Sequence, residues 1–297
     1  MRLITFSHAG EVRLGVLVAQ EGQERVLDLR RAQPSLPVEM TEFLEAGDAA
    51  LVAARRAVAT ASAADLLPRA AVTLLAPVPR PPKLICLGHN YHDHMGIGRT
   101  EPPAYPTFFC KTANTIIGPD QAIVIPAATS QVDYEAELAV VIGRPARHVT
   151  PAQALAYVAG YTIFNDVSAR DYQKRTSQWM IGKSFDTFGP LGPALVTADE
   201  IPDPHNLELS LTLNGAELQR TNTRQMIFAI PDVIAYLSEV MTLTPGDVIS
   251  TGTPAKTSLA RSLPPFMKPG DWVCISVERI GELANPVVAE SLWGLTS

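Results

Sequence analysis

The chain has 297 residues, of which 46% are hydrophobic and 18% are charged, so it can bury a substantial core and is neither disordered nor fibrous. Its 24 basic and 30 acidic side chains give a formal net charge of -6. This balance argues against nucleic acid as a partner, because phosphate backbones are bound by an excess of positive charge.

The sequence contains no run of about 18 apolar residues, which is the length that a membrane-spanning helix needs. Its first 15 residues alternate apolar and polar positions and include Glu11 and Arg13, so they lack the apolar centre of a signal peptide. The three cysteines form no CxxC pair and are predicted to be buried thiols in a reducing compartment. Together these features predict a cytoplasmic protein without a membrane partner.

The first 78 residues are predicted to form a small α+β accessory domain. Two strands, RLITF and VRLGVLVA, come first, and residues 39–62 are predicted to form two short helices that are interrupted near Gly47. The segment APVPRPPK follows, where Pro77, Pro79, Pro81 and Pro82 remove amide donors and fix φ, which ends helices and strands. We expect this proline cluster to separate residues 1–78 from a second domain at 83–291.

The second domain is predicted to be β-rich. It contains many short strand-like runs divided by Gly, Pro, Asn and Asp, such as KLICLG, AIVIP, LELSLTLNG and WVCISVE, a pattern typical of sandwiched or rolled sheets. Two helices are expected, at residues 151–157, where Thr150 can cap the start, and at residues 230–241. The predicted fold class of the whole chain is therefore α+β.

The segment GHNYHDH holds three of the six histidines, His89, His92 and His94. Their spacing of three and two residues fits neither one helix face nor one strand face, which disfavours a zinc site. A general acid or base on a polar loop is one interpretation, and ordinary hydrogen-bonding histidines are the other. Gly96 and Gly98 follow directly and three prolines come later, so this segment is a candidate lid.

Glu135 and Glu137 lie two residues apart in VDYEAELAVVIG, so a strand would project both carboxylates from one face. Asp133 has the same parity, and Asp166 ends the next predicted strand, YVAGYTIFND. Adjacent carboxylates need a cation or a proton unless they face water. Oxygen ligands suit Mg²⁺, Mn²⁺ or Ca²⁺ rather than Zn²⁺. The pattern leaves two interpretations, a hard-cation site and a solvated acidic edge.

Arg170 and Gln173 in SARDYQ and Lys183 in GKSFD follow the last of these carboxylates. An arginine offers a bidentate fork for a carboxylate, and a lysine offers a point charge for a developing oxyanion or enolate. By themselves, charged residues of this kind are more often surface charges than site residues.

Five segments in order resemble the fumarylacetoacetate hydrolase family, in particular a bacterial branch with a short N-terminal domain. These segments are VDYEAELAVVIG, YVAGYTIFNDVSARDYQ, GKSFDTFGPLGP, MTLTPGDVISTGTP and PGDWVCISVERIGELANPV. The resemblance covers residues 83–290 and implies the family's C-terminal fold of mixed sheets. It also implies a homodimer.

The resemblance implies a metal site and a substrate class. Glu135, Glu137 and Asp166 match the family's ligands of Mg²⁺, Mn²⁺ or Ca²⁺, and the implied substrate is a 2-oxo acid or a 1,3-dicarbonyl (diketo) acid. The remaining matches are two catalytic residues, His94 in the N-Y-x-x-H motif and Lys183, and three positions that hold substrate, Arg170, Gln173 and Thr253.

One departure concerns the mechanism. Many relatives carry a glutamate three residues after this histidine, where this chain has Ile97, and Glu101 is the nearest substitute. The first hypothesis is nevertheless a metal-dependent hydrolase that cleaves a C–C bond in an acylpyruvate or β-diketo acid. The departure favours a reaction that needs only metal enolisation, such as tautomerisation or decarboxylation. The alternative is therefore an oxaloacetate-type decarboxylase or a 2-hydroxy-dienoate isomerase on the same metal site. A binding protein that has lost catalysis is the third hypothesis.

Overall fold

The computed structural model describes residues 1–93, 102–263 and 266–290. The strands in this part of the chain are β1 (Arg2–His8), β2 (Glu11–Gln20), β3 (Gln23–Asp28), β4 (Leu66–Pro68), β5 (Thr73–Leu74), β6 (Leu84–Gly88), β7 (Thr107–Cys110), β8 (Ile116–Ile117), β9 (Ile123–Ile125), β10 (Val132–Asp133), β11 (Ala136–Ile142), β12 (Val158–Asn165), β13 (Ser168–Ala169), β14 (Gly189–Thr197), β15 (Glu208–Leu213), β16 (Ala216–Asn222), β17 (Val248–Ser250), β18 (Trp272–Val277) and β19 (Gly281–Ala289).

The helices are short apart from two. They are α1 (Leu29–Ala32), α2 (Met40–Glu45), α3 (Gly47–Thr60), α4 (Pro151–Ala154), α5 (Arg170–Gln173), α6 (Met180–Lys183), α7 (Ile230–Val240) and α8 (Ser258–Ser262). The predicted break near Gly47 separates α2 from α3, and Thr150 forms a capping box at the start of α4. No helix among the described residues is long and apolar enough to span a membrane.

Two large sheets organise the described residues. One runs in the order β4-β3-β2-β1-β14-β12-β11-β17-β6-β7, with β5 paired to β1 and β8 paired to β14. The other runs β16-β15-β18-β19-β9, and β10 pairs with β13 in a separate ribbon. The fold is thus mixed and β-rich, which confirms the predicted fold class.

Strand β11 separates two hydrophobic cores because its alternate side chains face opposite sides of the large sheet. Leu138 and Val140 join the core that includes strands of the second sheet. Ala139 and Val141 join a core built with the N-terminal helices, including Phe43 of α2. Both faces of the central strand are therefore covered, which explains why it is apolar from Leu138 to Ile142.

The N-terminal segment adds its strands to the same large sheet. Strand β1 pairs antiparallel with β14, with Leu3 opposite Leu195, and the Thr5 hydroxyl donates to the carbonyl of Pro77. The proline cluster therefore lies between two stretches of sequence whose strands share one sheet. The division into domains at 1–78 and 83–291 stays a prediction.

Two local expectations need correction. The predicted strand VDYEAELAVVIG is interrupted, because Asp133 belongs to β10 while β11 begins at Ala136. The cysteines are not uniformly buried: Cys86 is buried in the second core, Cys110 is exposed and Cys274 is partly exposed. Composition alone cannot distinguish these environments, because they depend on what packs over each strand.

Candidate active site

Three carboxylates converge where β11 and β12 lie side by side. Ala136 pairs with Asn165, so Glu135, just before β11, meets Asp166, just after β12, and the Asp166 amide donates to the carbonyl of Glu135. Glu137 follows two residues later, inside β11, and its carboxylate joins the same cluster. One carboxylate oxygen from each of the three residues lies within 4.8 Å of the other two.

Glu137 is held by neutral donors. The Ser250 hydroxyl at the end of β17 and the Gly252 amide both donate to its Oε2, at 2.5 and 2.7 Å. Burial, together with the negative charges of Asp166 and Glu135, raises the pKa of Glu137 well above its ordinary value. The cluster thus contains one carboxylate whose charged form is disfavoured by its surroundings and would be stabilised by an added cation.

Lys183 connects the other two carboxylates. Its Nζ lies 2.6 Å from Glu135 Oε2 and 2.6 Å from Asp166 Oδ2. Burial lowers the pKa of this ammonium, but Asp166 and Glu135 raise it more, so the net pKa lies above the ordinary lysine value. Helix α6 carries Lys183, and it packs so closely on α5 that a Cβ at Gly182 would lie 2.4 Å from the Gln173 amide nitrogen.

Lys111 is a site residue that the sequence interpretation missed. It follows β7 and its side chain is fully buried, with Nζ 2.6 Å from Asp166 Oδ1 and further hydrogen bonds to the carbonyls of Val167 and Phe188. Both oxygens of Asp166 are therefore bound by lysines. The sequence signal was weak, because Lys111 follows the strand TFFC, whose side chains are half-buried or exposed, and lysines are seldom fully buried.

Arg170 links Glu135 to Asp133. Its Nη2 lies 2.5 Å from Glu135 Oε1, its Nε donates to Asp133 Oδ2 at 2.9 Å, and its Nη1 donates to Gln173 Oε1 at 3.0 Å. Burial raises the pKa of Glu135, but the charges of Arg170 and Lys183 outweigh it and hold that pKa below its ordinary value. This carboxylate is therefore ionised.

The segment TGTPAK after β17 contributes two more residues. Thr253 is buried and accepts a hydrogen bond from Gln219 at 2.9 Å. Lys256 was not singled out in the sequence, yet its Nζ lies 2.6 Å from Asp133 Oδ1 and 4.5 Å from the centroid of the Tyr134 ring. The segment therefore adds a polar group and a cation to the site.

Many of the site residues described above line a cavity of about 380 Å³. Its polar side includes Glu135, Glu137, Lys183 and all three predicted substrate-holding residues, Arg170, Gln173 and Thr253. Its apolar lining residues are Leu87, Phe109, Trp179 and Phe266, and His89 also lines it, with its ring 5.3 Å from that of Trp179.

The predicted proton carrier His94 lies outside the described residues, as do Ile97 and Glu101. Of the three histidines in GHNYHDH, the structure brings His89 to the cavity wall. The sequence motif alone did not distinguish this histidine from its neighbours.

The donor set fits a hard divalent cation. All three clustered ligands offer carboxylate oxygens, and the nearby Cys86 is a poor thiolate ligand because burial raises the pKa of its thiol well above the ordinary value. The buried Glu137, whose named donors are neutral, is the group that gains most from such a cation. The residues present therefore fit Mg²⁺ or Mn²⁺.

Comparisons with known proteins find close relatives over nearly the whole chain. A mitochondrial oxaloacetate tautomerase of Rattus norvegicus is 46% identical over 291 residues, which cover 97% of this chain and 92% of that protein. A crystal structure of a 2-hydroxyhepta-2,4-diene-1,7-dioate isomerase from Mycobacterium marinum is similar with a TM-score of 0.77 and 36% identity, covering 98% of this chain and 99% of that one.

A third relative has a metal ion in its crystal structure. It is a maleylpyruvate hydrolase from a Sphingobium species in complex with manganese(II) ion and pyruvate, with a TM-score of 0.80 and 32% identity, covering 97% of this chain and 99% of that one. The sequence profile of the fumarylacetoacetate (FAA) hydrolase C-terminal family matches residues 83–288. The chain therefore belongs to the fumarylacetoacetate hydrolase family.

Proposed function

We propose that the protein is a divalent-cation-dependent enzyme that interconverts the keto and enol forms of a 2-oxo acid, with oxaloacetate as the first candidate. The observation that carries the proposal is the buried ammonium of Lys183. It contacts both Glu135 and Asp166, two of the three clustered carboxylates. The 46% identity to an oxaloacetate tautomerase supports the same reaction.

Glu135, Glu137 and Asp166 are proposed to hold the cation, Mg²⁺ or Mn²⁺, with Ca²⁺ as an alternative. When bound, the ion supplies Lewis acidity that polarises a carbonyl group. The cluster of buried oxygen ligands supports this assignment.

Lys183 is proposed to stabilise negative charge on the substrate. In tautomerisation a proton leaves the carbon beside the carbonyl group, and the carbonyl oxygen gains negative charge. A fixed ammonium in a buried site stabilises that charge more than water does. Arg170, Gln173 and Thr253 line the same cavity and are proposed to hold the substrate, while His94 is proposed to carry the proton.

The experiment that tests this function follows the ultraviolet absorbance of enol-oxaloacetate after mixing with protein supplied with Mg²⁺ or Mn²⁺. We expect faster loss of the enol signal than in buffer containing the same ion, and loss of the effect with EDTA or in Glu137→Gln. The exposed substitution Val52→Ala serves as the control. Equal rates in the Glu137→Gln variant and the unmodified protein would contradict the proposal.

C–C bond hydrolysis of an acylpyruvate is the second candidate. The aromatic residues Phe109, Trp179 and Phe266 line the cavity and offer an apolar surface to an acyl group, and a related structure is that of a maleylpyruvate hydrolase. Product analysis in ¹⁸O-labelled water distinguishes the reactions, because only hydrolysis places solvent oxygen in a new carboxylate. A decarboxylase would release carbon dioxide, and an isomerase acting on a 2-hydroxy-dienoate would return an isomer.

The homodimer and the cytoplasmic location stay predictions. Light scattering of the purified protein tests the first, with a mass near twice 32.0 kDa expected. Fractionation of the source cells tests the second.

A further inference from the structure

Trp179 lies one helical turn before Lys183. It directly precedes helix α6 and has helical backbone angles, and the amide of Gly182 donates to its carbonyl at 2.9 Å. Residues four positions apart on a helix lie on one face. The side chains of Trp179 and Lys183 both line the cavity, together with the clustered carboxylates Glu135 and Glu137. The indole ring is therefore attached to the same short element as the ammonium that the proposed function uses.

A series of ring contacts runs from this ammonium to the indole ring. The Lys183 Nζ lies 4.9 Å from the centroid of the Phe109 ring. The Phe109 and Trp179 rings meet edge to face, with their centroids 5.6 Å apart. The ring of His89 also meets the indole ring edge to face, at 5.3 Å. Such edge-to-face pairs are favourable, so the indole ring is held beside a ring that itself contacts Lys183.

Gly88, at the end of β6, lets the indole ring approach the backbone. A Cβ at this position would lie 2.3 and 2.8 Å from two ring carbons of Trp179, whereas carbon atoms in contact are about 3.5–4.0 Å apart. The ring therefore packs directly on the backbone of β6, as a glycine permits. It is in contact with this backbone and with two other rings, so a ligand can take its place only by breaking these contacts.

The charged and aromatic linings of the cavity favour different parts of a substrate. An apolar substituent placed against Arg170 and Asp133 would remove water from ionised groups, which is unfavourable. Contact with aromatic rings buries apolar surface and is favourable. With the 2-oxo acid group beside Lys183, an apolar substituent is therefore expected to lie against Phe109 and Trp179. There the fixed indole ring limits its length.

We propose that Trp179 is a specificity-determining residue that restricts the enzyme to 2-oxo acids with a short substituent on carbon 3. This inference rests on the proposed function, because it assumes that the 2-oxo acid group binds beside Lys183. Oxaloacetate, which has one carboxylate on carbon 3, belongs to this class. An acylpyruvate with a bulky acyl group lies outside it, and removal of the indole ring is expected to admit such a group.

The test compares two ligands that differ in one group. Oxamate resembles pyruvate with an amide nitrogen in place of carbon 3, and N-phenyloxamate carries a phenyl ring on that nitrogen. Calorimetric titration of the protein with saturating Mg²⁺ gives both dissociation constants. We expect the unmodified protein to bind N-phenyloxamate no more tightly than oxamate. In Trp179→Ala we expect N-phenyloxamate to gain about tenfold or more relative to oxamate, the size expected for a newly buried phenyl ring.

Two further variants identify the cause. Trp179→Leu removes the ring but keeps an apolar side chain, and it is expected to give a smaller gain in the same direction, about threefold or more. Trp272→Ala makes the alanine substitution at an exposed tryptophan of β18 and is expected to keep the affinity ratio of the unmodified protein.

An unchanged affinity ratio in both Trp179 variants overturns the proposal. A preference of the unmodified protein for N-phenyloxamate by about tenfold also overturns it, because the indole ring would then be a contact for long substituents rather than a limit. Absence of binding of both ligands to every variant overturns it as well. The enol assay uses neither ligand, so failure of the proposed tautomerase is distinguished from failure of the Trp179 assignment.

Discussion

At the scale of single residues, Glu137 is the carboxylate that most needs an added cation. It is buried, and its pKa is raised by burial and by Asp166 and Glu135. Glu137→Gln keeps the shape but removes the charge. Loss of a residue that only hydrogen-bonds to a metal ligand lowers metal affinity by roughly 10- to 100-fold. We expect loss of the ligand itself to lower the Mn²⁺ affinity, measured by calorimetry, by more than this. Affinity within twofold of the unmodified protein would rule out this residue as a ligand.

Lys111 gives a second prediction at the residue scale, this time for stability. Lys111→Met leaves one oxygen of the fully buried Asp166 without its cation. Breaking a buried ion pair costs about 3–5 kcal/mol, so we expect the free energy of unfolding in urea to fall by that order. Lys268→Met, at the exposed surface, is the control and should fall within about 0.5 kcal/mol of the unmodified protein. An equally small effect for Lys111→Met would show that this pair contributes little.

At the scale of elements, the contact between α5 and α6 positions both Gln173 and Lys183. A Cβ at Gly182 would lie 2.4 and 2.6 Å from the backbone nitrogen and Cα of Gln173, so Gly182→Ala must push the helices apart. We expect kcat/KM to fall by about tenfold or more, since a 1 Å misplacement in an active site is costly. Ile181→Ala, on the exposed side of α6, should retain activity. Similar activity in both variants would argue against this positioning role.

Helix α7 gives a pH prediction. The His205 Nε2 accepts a hydrogen bond from the Ile230 amide at the start of this helix. Burial lowers the pKa of His205 below its ordinary value of 6.5, although Asp203 and Asp232 oppose the shift. A histidine with a lowered folded-state pKa contributes full stability above the unfolded-state pKa, and this contribution is lost as pH falls below it.

The variant His205→Gln tests this contribution, because glutamine can accept the same hydrogen bond without titrating. We expect the unfolding midpoint to drop between about pH 7.5 and about pH 5.5, and to drop less in His205→Gln than in the unmodified protein. Equal drops would assign the pH dependence to other groups.

At the scale of the whole molecule, the N-terminal helices and the central strand share one core. Phe43 of α2 is fully buried in the cluster that contains Ala139 and Val141 of β11. All three tryptophans, Trp179, Trp272 and Trp293, lie in the second part of the sequence. Tryptophan fluorescence therefore reports on that part alone.

We expect Phe43→Ala to lower the stability measured by tryptophan fluorescence in urea by about 3–5 kcal/mol, the usual cost of deleting a buried phenylalanine. Val52→Ala, at an exposed position of α3, should change it by less than about 0.5 kcal/mol. A fluorescence transition that is unaffected by Phe43→Ala would show that residues 1–78 unfold as a separate domain.

The sequence by itself determined the β-rich fold class, the family and the local order of the carboxylates. Strand alternation predicted that Glu135 and Glu137 share one side because the side-chain period of a strand is fixed at two residues. Local chemistry also determined the helix start at Thr150 and the break near Gly47. These features depend on neighbours within a few positions.

Only the tertiary structure decided which cations meet these carboxylates. Lys111 is 55 residues from Asp166 in sequence and Lys256 is 123 residues from Asp133, so no local period relates them. The structure also decided that β10 breaks away from β11 and that the N-terminal strands extend the central sheet. Such contacts arise from strand pairing across the whole chain, and one sequence carries no short-range signal for that pairing.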